Sequence, residues 1–534
     1  MRGTHAVTFL LFSFFAIFSF WLMFHTFSYD TKAHAMMLSQ KVWSDFAQHI
    51  PFIRSFSLGE NFPPVHPLFP GAPIRYHFLF YALVGTLEKL GIRIDWALNI
   101  PSSLGFFLLL TGIYLVAMRL FSSQRVAILS LVFFLFNGSL SFIQFFQKQP
   151  LNFKDFPAFA PWGKGDITAF WNLNIYTNQR HLALTFGIAL VFLFFLRGRL
   201  EDSRRPLVDF AFAVLFGVLF GLFPFFHQPT LLILAVFMAT YFLTMPKLRP
   251  FLFINGLLTT LLVIPQLQFF QGSTKALQWY PGYLIHDSLS LWHFVSFWWQ
   301  NLGLHSILVP VGFFLAPKKI RAFFLPVFVL FFLGNMFKFS QEVAANHKFF
   351  NFALILGNML TAYAVTRLWT LIKFIKIIIV IVVVFFLTLS GIIDFFIIAG
   401  DAKGALADIP ANKTATWIVR NTPKNAIFLN SSFLYHPASL AGRNIFLGWP
   451  YFPWSEGYDT RTRLTEMQDM YSANDLAILC SKLKTYHISY ITFQSRNAAS
   501  ELVFREEVYQ KHFENVFFDA VEGFRIYSTK SGCP

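Results

Sequence analysis

Long apolar runs separated by short polar segments make up residues 1–399 of the chain. A helix that crosses a membrane needs roughly 20 mostly apolar residues, and shorter ones are tolerated inside a bundle. The pattern therefore predicts about eleven membrane-spanning helices. These predicted spans are 7–27, 97–118, 126–146, 181–196, 207–225, 229–245, 251–270, 304–317, 322–336, 350–367 and 377–399.

The pattern changes at Gly400, where charged residues return and short alternating runs replace the long apolar ones. The runs 426–431 and 486–493 are typical of strands, 414–420 and 474–484 are typical of helices, and the last segment predicts a hairpin about Glu522-Gly523. We therefore predict two domains: an all-α polytopic membrane bundle over 1–399 and a soluble α/β domain over 400–534. Cys480 and Cys533 both lie in the second domain, and whether they form a disulfide is left open.

Composition supports a membrane protein. Of the 534 residues, 56% are hydrophobic and 13% are charged, whereas soluble proteins average about 45–50% apolar and about 25% charged residues. Such a composition excludes a disordered chain, and a single soluble domain of this length could not hide so much apolar surface. The net charge of +16 resolves into basic clusters in alternate short connections, which is typical of cytoplasmic loops rather than of nucleic-acid binding.

The positions of these clusters predict a cytoplasmic N-terminus and an extracytoplasmic C-terminal domain. Arg2 precedes the first span without a small-residue cleavage site after it, so we interpret that span as a retained helix. We expect the protein in the plasma membrane of a prokaryote. The long connections then lie on the extracytoplasmic side, together with most of the histidines. They are 28–96, 147–180, 271–303 and 337–349.

The first long connection predicts two short helices that lie along the membrane surface. Asp45, His49, Phe52 and Phe56 recur at intervals of three and four residues, so one helix would place Asp45 and His49 on the same face. That helix stops at Gly59, and the proline-rich stretch after it cannot be helical. A second apolar stretch, 76–90, is too short to span and contains Glu88 and Lys89.

This order of elements resembles the GT-C superfamily of polytopic membrane glycosyltransferases. One span is followed by an acidic residue that opens a juxtamembrane helix, then by Gly, Pro and Tyr, a second such helix and the second span. The matching positions are Asp45, Gly59, Pro63-Pro64, Tyr76 and Gly91. Asp45 is followed by Phe46, whereas many members have an Asp-Glu pair. The segment 441–461 is similar to the ends of uncharacterised prokaryotic YYY-type membrane proteins.

The resemblance implies a GT-C-like bundle that works as a glycosyltransferase, similar to the protein mannosyltransferases. The expected reaction moves a hexosyl or pentosyl group from a polyprenyl-phosphate-linked donor to a glycan, protein or lipid acceptor on the extracytoplasmic face. Nucleic acid is not an expected partner. Two alternatives stay open: a transporter or lipid flippase with an exported accessory domain, and a non-catalytic membrane assembly protein. Charges that gather at one rim, without two related halves, favour the enzyme.

Glycosyl transfer needs a base for the acceptor proton and a group that stabilises the departing phosphate. The resemblance makes Asp45 the candidate base, and the alternative is that Asp45 only caps the juxtamembrane helix. Asp30 is the second candidate, and its alternative is an ordinary solvated end of the first span.

The residues expected to bind substrate are cations and polar groups at predicted exterior helix ends. The alternative for the basic ones is that long side chains anchor helix ends at the interface. These candidates are His49, Arg75, Tyr76, Arg180, His347 and Lys348.

A divalent metal, Mg²⁺ or Mn²⁺, is an open alternative. Asp45 with His49 and a carboxylate of the second long connection, Asp155 or Asp166, would hold the ion through the oxygen ligands that such ions prefer. The histidines lack the spacing of HxxxH or HExxH motifs, which argues against a zinc site.

Overall fold

The structure is a computed structural model, and it describes residues 2–148, 170–201, 206–270, 277–371, 376–494, 499 and 502–533. Its helices, in chain order, are α1 Arg2–Thr26, α2 Trp43–Ser57, α3 Leu79–Lys89, α4 Ile94–Phe121, α5 Gln124–Leu135, α6 Ser141–Lys148, α7 Asn174–Asn178, α8 Leu182–Glu201, α9 Pro206–Gly221, α10 Phe223–Phe226, α11 Gln228–Thr244, α12 Arg249–Val263, α13 Leu291–Leu302, α14 His305–Leu315, α15 Lys318–Met336, α16 His347–Leu371, α17 Lys376–Ala399, α18 Lys413–Asn421, α19 Pro437–Leu440, α20 Tyr451–Ser455, α21 Thr460–Tyr471, α22 Leu476–Thr485 and α23 Glu506–His512.

The strands are few and short. They are β1 Phe27–Asp30, β2 Ala35–Ser39, β3 Gln278–Trp279, β4 Phe337–Lys338, β5 Lys403–Ala407, β6 Ile427–Leu429, β7 Asn444–Ile445, β8 Ile488–Gln494, β9 Glu514–Asp519 and β10 Phe524–Ser528. They form three sheets with the strand orders β1-β2-β5, β7-β6-β8-β10-β9 and β3-β4.

The chain divides into two compact units. The first, here called the helical unit, contains Met1–Thr26, Ile100–Gln266 and Lys275–Ala402. The second, called the mixed unit, contains Phe27–Asn99, Leu267–Thr274 and Lys403–Pro534. The first loop, residues 27–99, thus belongs to the same compact unit as the C-terminal segment.

Within the described part of the chain, seven helices are long and apolar enough to cross a membrane, so the protein is an integral membrane protein. They are Thr8–Thr26, Ile94–Phe121, Leu182–Glu201, Pro246–Phe269, Lys318–Met336, Val343–Thr370 and Ile377–Ala399. Four shorter apolar helices also fall on predicted spans: Gln124–Leu135, Leu207–Gly221, Gln228–Thr244 and His305–Leu315.

The single helix predicted over 126–146 is wrong, because α5 ends at Leu135 and α6 begins at Ser141. Close backbone packing explains the break. A Cβ added at Gly138 would overlap the carbonyl of Leu387, and one added at Gly391 would overlap the backbone of Phe136. The non-helical connection therefore lies directly against α17, at a distance that only glycine allows.

α16 is the central helix of the helical unit. In the apolar stretch of this span, 89% of the residues are buried inside the protein, whereas 22% are buried in the corresponding stretches of the first and last spans. α14 packs on it so closely that a Cβ at Gly312 would overlap the backbone of Leu360. Aromatic rings fill much of the surrounding core, for example Trp298 against Phe350 with ring centroids 4.7 Å apart.

The mixed unit joins the two ends of the chain through a sheet. β1 and β2 form a hairpin, and β5 of the C-terminal segment pairs with β2 in antiparallel register from Ala35 opposite Ala407 to Ser39 opposite Lys403. In the larger sheet, β6 is parallel to β7 and β8, and β10 is antiparallel to β8 and β9. The predicted C-terminal hairpin, strands and helices are confirmed, and Cys480 and Cys533 form a disulfide.

A buried charge cluster, here called the Arg54 clamp, ties α2 to both α3 and the C-terminal segment. The Arg54 guanidinium lies 2.7 Å from an Asp408 carboxylate oxygen and 3.4 Å from a Glu88 carboxylate oxygen. Ser57 donates a hydrogen bond to Glu88. Burial alone would lower the pKa of Arg54, but Glu88 and Asp408 together raise it above its ordinary value. The arginine therefore stays charged between two carboxylates.

Arg443 makes a second tie between these segments. Its buried guanidinium donates to the carbonyl of Leu58, just beyond α2, at 2.9 Å. It also donates to the carbonyls of Val419 and Thr422 at the C-terminal end of α18. A cation at this end stabilises the helix, because the last carbonyls have no partners inside it.

Gly442→Ala is expected to destabilise the mixed unit. Gly442 has a φ of +75°, and a Cβ there would overlap the Arg54 carbonyl. The cost combines left-handed backbone strain with that overlap, so we expect a loss of about 1–3 kcal/mol or more. The apparent Tm of the purified full-length protein measures it. Gly71→Ala is a matched control, because Gly71 also has a positive φ of +88° but open space at the Cβ position. Equal Tm values for the two variants would contradict the packing argument.

Glu88 is expected to make the stability of the protein depend on pH. Burial raises the pKa of Glu88, although the charge of Arg54 and the hydrogen bond from Ser57 each lower it. An acid whose pKa is higher in the folded than in the unfolded state stabilises the fold at low pH, and that contribution is lost as pH rises above its unfolded pKa, about 4.3. The Tm of the wild type should therefore fall relative to that of Glu88→Gln as pH rises through this window. A Tm difference that is constant from pH 4 to 8 would contradict this prediction.

Candidate active site

Asp45 lies in the first turn of α2, four residues before His49. The N-cap residue of α2 is Val42, which makes no side-chain cap hydrogen bond. A carboxylate in the first turn is favoured there by the helix dipole. Asp45 is only half-buried, while the face of α2 that follows it is buried from Phe46 to Ser55.

His49 contacts Tyr81 of α3, and the charge of Asp45 acts on the same tyrosine. The Tyr81 hydroxyl lies 2.8 Å from His49 Nδ1, and the two rings are stacked with centroids 5.1 Å apart. Burial raises the pKa of Tyr81 well above its usual value, and the negative charge of Asp45 adds to this effect. The same two causes raise the pKa of Tyr435, whose hydroxyl donates to the Trp43 carbonyl at the start of α2.

Tyr76 completes an aromatic cluster around this point. Its ring lies 5.6 Å from that of Phe52 and 6.2 Å from that of Tyr81, measured between centroids. Burial raises the pKa of Tyr76, and Glu456 and Asp45 raise it further. Both phenols therefore stay neutral, and each keeps one hydroxyl proton that it can donate.

Glu456, which the sequence pattern did not single out, reaches the same cluster from the C-terminal segment. Its carboxylate accepts a hydrogen bond from the Gln48 amide of α2, and the other oxygen lies 2.9 Å from His66 Nε2. His66 Nδ1 accepts from the Leu68 amide, so the proton of the neutral ring is on Nε2, facing Glu456. The candidate site, defined here as Asp45, His49, Tyr76, Tyr81 and Glu456, is therefore built from both ends of the chain.

Arg75 is bound to the turn that follows Glu456. Its guanidinium donates to the Gly457 carbonyl and lies over the Tyr458 ring, 4.7 Å from the centroid. The Arg75 amide donates to the Tyr458 hydroxyl at 2.8 Å. Arg75 therefore holds the turn that presents Glu456, a positioning role beside the predicted substrate-binding one.

Asp30 is the last residue of β1, directly before the turn to β2. Its carboxylate oxygen Oδ1 accepts from the amides of Lys32 and Ala33, at 2.9 and 3.1 Å, and the side chain is exposed. These bonds give Asp30 a turn-forming role. The remaining predicted acidic residues, Asp155 and Asp166, lie outside the residues that the structure describes.

The other residues predicted to bind substrate lie in the helical unit. Arg180 is fully buried, and its guanidinium nitrogens donate to Thr26 Oγ1 and Met23 Sδ, each at 2.8 Å. His347 opens α16, stacks on Phe170 with ring centroids 4.5 Å apart and lies 2.7 Å from Asn351 Oδ1. Lys348 follows it in the first turn of α16.

Solved structures similar to this chain include an arabinofuranosyltransferase and an oligosaccharyltransferase. The arabinofuranosyltransferase AftD from Mycobacteria matches with a TM-score of 0.54 and 14% identity, covering 98% of this chain and 40% of that one. The oligosaccharyltransferase from Archaeoglobus fulgidus, in a complex with Zn and sulfate, matches with a TM-score of 0.50 and 11% identity, covering 97% and 74%. Both neighbours are GT-C enzymes. The fold is that of the GT-C membrane glycosyltransferases.

A second structure of the Archaeoglobus fulgidus enzyme, tethered to an acceptor peptide containing the NVT sequon, also matches the GT-C fold with a TM-score of 0.50 and 10% identity, covering 98% of this chain and 74% of that one. The sequence itself matches no protein-family profile and no curated protein. At these identities the likeness concerns the GT-C fold, and the chemistry has to be argued from this chain's own residues.

Proposed function

We propose that the protein transfers a sugar from a polyprenyl-phosphate-linked donor to an acceptor on the extracytoplasmic face of a prokaryotic plasma membrane. The observation that carries the proposal is the position of Asp45, a half-buried carboxylate at the start of α2 beside two neutral tyrosines and His49. A carboxylate in such a place can accept a proton while the neighbouring Tyr76 phenol orients the reacting oxygen.

In the proposed reaction, an acceptor hydroxyl oxygen forms a bond to the anomeric carbon of the donor sugar. The bond between that carbon and the phosphate oxygen breaks, and the polyprenyl phosphate leaves with the bonding electron pair. Asp45 takes the acceptor proton as the general base. Tyr76, kept neutral by burial, donates a hydrogen bond that positions a substrate oxygen, and Tyr81 holds Tyr76 and His49 in place.

The proposal assigns binding of the donor phosphate to Arg180, His347 and Lys348, because the fixed positive charges of Arg180 and Lys348 stabilise a phosphate that gains charge as it leaves. Burial of Arg180 supports its part, since a desolvated guanidinium binds an anion more strongly than one in water. The proposal also keeps about eleven spans, counting the four shorter apolar helices, and a cytoplasmic N-terminus.

A Mg²⁺ or Mn²⁺ ion held by Asp45 with Asp155 or Asp166 stays part of the proposal. Of these three carboxylates the structure describes Asp45 alone, and oxygen donors of this kind suit both ions. No step of the reaction above depends on the metal.

The proposal is tested by a transfer assay with the purified full-length protein in proteoliposomes. Radiolabelled polyprenyl-phosphate hexose and pentose donors are offered with glycan, peptide and lipid acceptors, and label is followed in each acceptor fraction. Transfer into any fraction by the wild type, with loss of transfer in Asp45→Asn, supports the proposal. Unused donors together with movement of labelled lipid across the bilayer would overturn it in favour of a flippase.

A further inference from the structure

Two histidines far apart in the sequence come together in the helical unit. His181 directly precedes α8 and His227 directly precedes α11. Both side chains are buried, with 1% and 0% of their surface exposed, and their ring centroids are 5.0 Å apart. The glycosyl transfer proposed above assigns no role to either residue.

Hydrogen bonds in the first turns of α8 and α11 set the tautomer of His227. Thr185 Oγ1 donates to the Leu182 carbonyl at 3.0 Å, and Thr230 Oγ1 donates to Thr185 Oγ1 at 3.1 Å. Each hydroxyl has a single proton, so Thr230 Oγ1 is left as an acceptor for His227 Nδ1, which lies 2.6 Å away. The proton of the neutral imidazole is therefore on Nδ1, and Nε2 carries the lone pair.

This arrangement is the one that metal-binding histidines show. A ligating imidazole binds through the lone pair of one nitrogen, while the N–H of the other donates to a fixed acceptor that orients the ring. In His227 the acceptor is Thr230 Oγ1. A lone pair on Nε2 suits a cation and cannot donate to an anion such as phosphate.

The distance between the rings also fits one shared ion. Two imidazoles bound at roughly 2.0–2.1 Å to the same tetrahedral ion have ring centres about 5 Å apart. His181 and His227 have theirs at 5.0 Å, with the ring planes inclined by 52°, so the rings are not simply stacked. Full burial excludes the competing water that weakens exposed histidine sites.

We propose that His181 and His227 bind a divalent transition metal ion of the kind that prefers imidazole, with Zn²⁺ as the first choice. The two imidazoles fill two positions of the ion, and further ligands complete its coordination. This site differs in position and donor type from the carboxylate set proposed for Mg²⁺ or Mn²⁺, and it does not depend on glycosyl transfer.

The test uses the metal alone as probe on the purified full-length protein. The protein is stripped with EDTA, loaded with Zn²⁺ or Co²⁺ and passed through a desalting column. We expect about one ion retained per chain, with visible Co²⁺ bands typical of a four-coordinate site that includes imidazole nitrogens. His181→Ala and His227→Ala should each weaken Zn²⁺ binding by at least about 100-fold, since each removes a ligand.

Thr230→Val distinguishes a metal role from a structural one. It keeps both imidazoles but removes the acceptor that orients His227, so Zn²⁺ binding should weaken about 10–100-fold. His286→Ala is the matched control, because His286 is an exposed histidine of the same unit, and binding should be unchanged. Added Zn²⁺ should raise the Tm of the wild type but not that of His181→Ala or His227→Ala. Failure of the wild type to retain Zn²⁺, or Co²⁺ bands that are unchanged in His181→Ala and in His227→Ala, would overturn the proposal.

Discussion

Asp45→Asn is expected to lower the rate of sugar transfer by about 10²–10⁴-fold, the range that general base catalysis usually contributes. Asparagine has nearly the size of aspartate and keeps its place in the first turn of α2, but it cannot accept the acceptor proton. His49, Tyr76 and Tyr81 are unaltered, so donor and acceptor should still bind. The expected result is therefore a fall in kcat with little change in KM, measured with the radiolabelled donor.

Two further carboxylates make this test specific. Glu60→Gln removes an exposed carboxylate from the same loop and should leave the rate unchanged. Asp30→Asn should retain most of the activity, because an asparagine oxygen can accept the same two backbone amides in the hairpin turn. If Asp45→Asn keeps more than half of the wild-type rate, Asp45 is not the base. If Asp30→Asn shows the large loss instead, Asp30 takes that role.

Arg54→Met is expected to destabilise the mixed unit by about 3–5 kcal/mol, the usual cost of leaving a buried charge without its partner. The substitution keeps an apolar side chain of moderate length in the clamp but leaves Glu88 and Asp408 buried beside each other without a cation. For a unit of this size the apparent Tm should fall by roughly 6–20 °C. Thermal unfolding of the full-length protein, followed by protease sensitivity of the C-terminal segment, measures the loss.

The control for this variant is an exposed ion pair of the same unit. Arg525 lies 2.9 Å from Glu506, and both side chains are partly exposed, so Arg525→Met should cost at most about 1 kcal/mol. Adding Glu88→Gln and Asp408→Asn to Arg54→Met should recover much of the stability, since the uncompensated charges are then gone. An Arg54→Met protein no less stable than Arg525→Met would show that the clamp contributes little.

Local sequence patterns were enough to predict the helices of the first loop and the helices and strands of the C-terminal segment. The short helices of the first loop and the hairpin about Glu522-Gly523 are confirmed, because helical and strand periodicities depend only on neighbouring residues. The break at 136–140 was missed. It depends on Gly138 meeting α17, more than 240 residues later in the chain, and no local pattern contains that contact.

The candidate site shows the same division. Asp45 and His49 on one face of α2 follow from their spacing of four residues, and His49 contacts Tyr81 while the charge of Asp45 raises the pKa of that tyrosine. Glu456 could not be predicted, since nothing near it in the sequence indicates Gln48 or His66 as its partners. A Glu within an aromatic, proline-containing stretch was the only local sign that position 456 is unusual.

By itself, the sequence determined that the protein lies in a membrane and which types of secondary structure it forms. It contains apolar runs long enough for a bilayer, a first loop with two short helices, and an α/β C-terminal segment. Only the tertiary structure decided which distant residues meet. It pairs β2 with β5, closes Arg54 on Asp408, brings Glu456 to the Asp45 cluster and sets His181 beside His227. The physical reason is that hydropathy and periodicity describe residues within a single helix or strand. Ion pairs, the hydrogen bonds that set a histidine tautomer, and the register of a sheet instead depend on distances between segments that folding alone brings together.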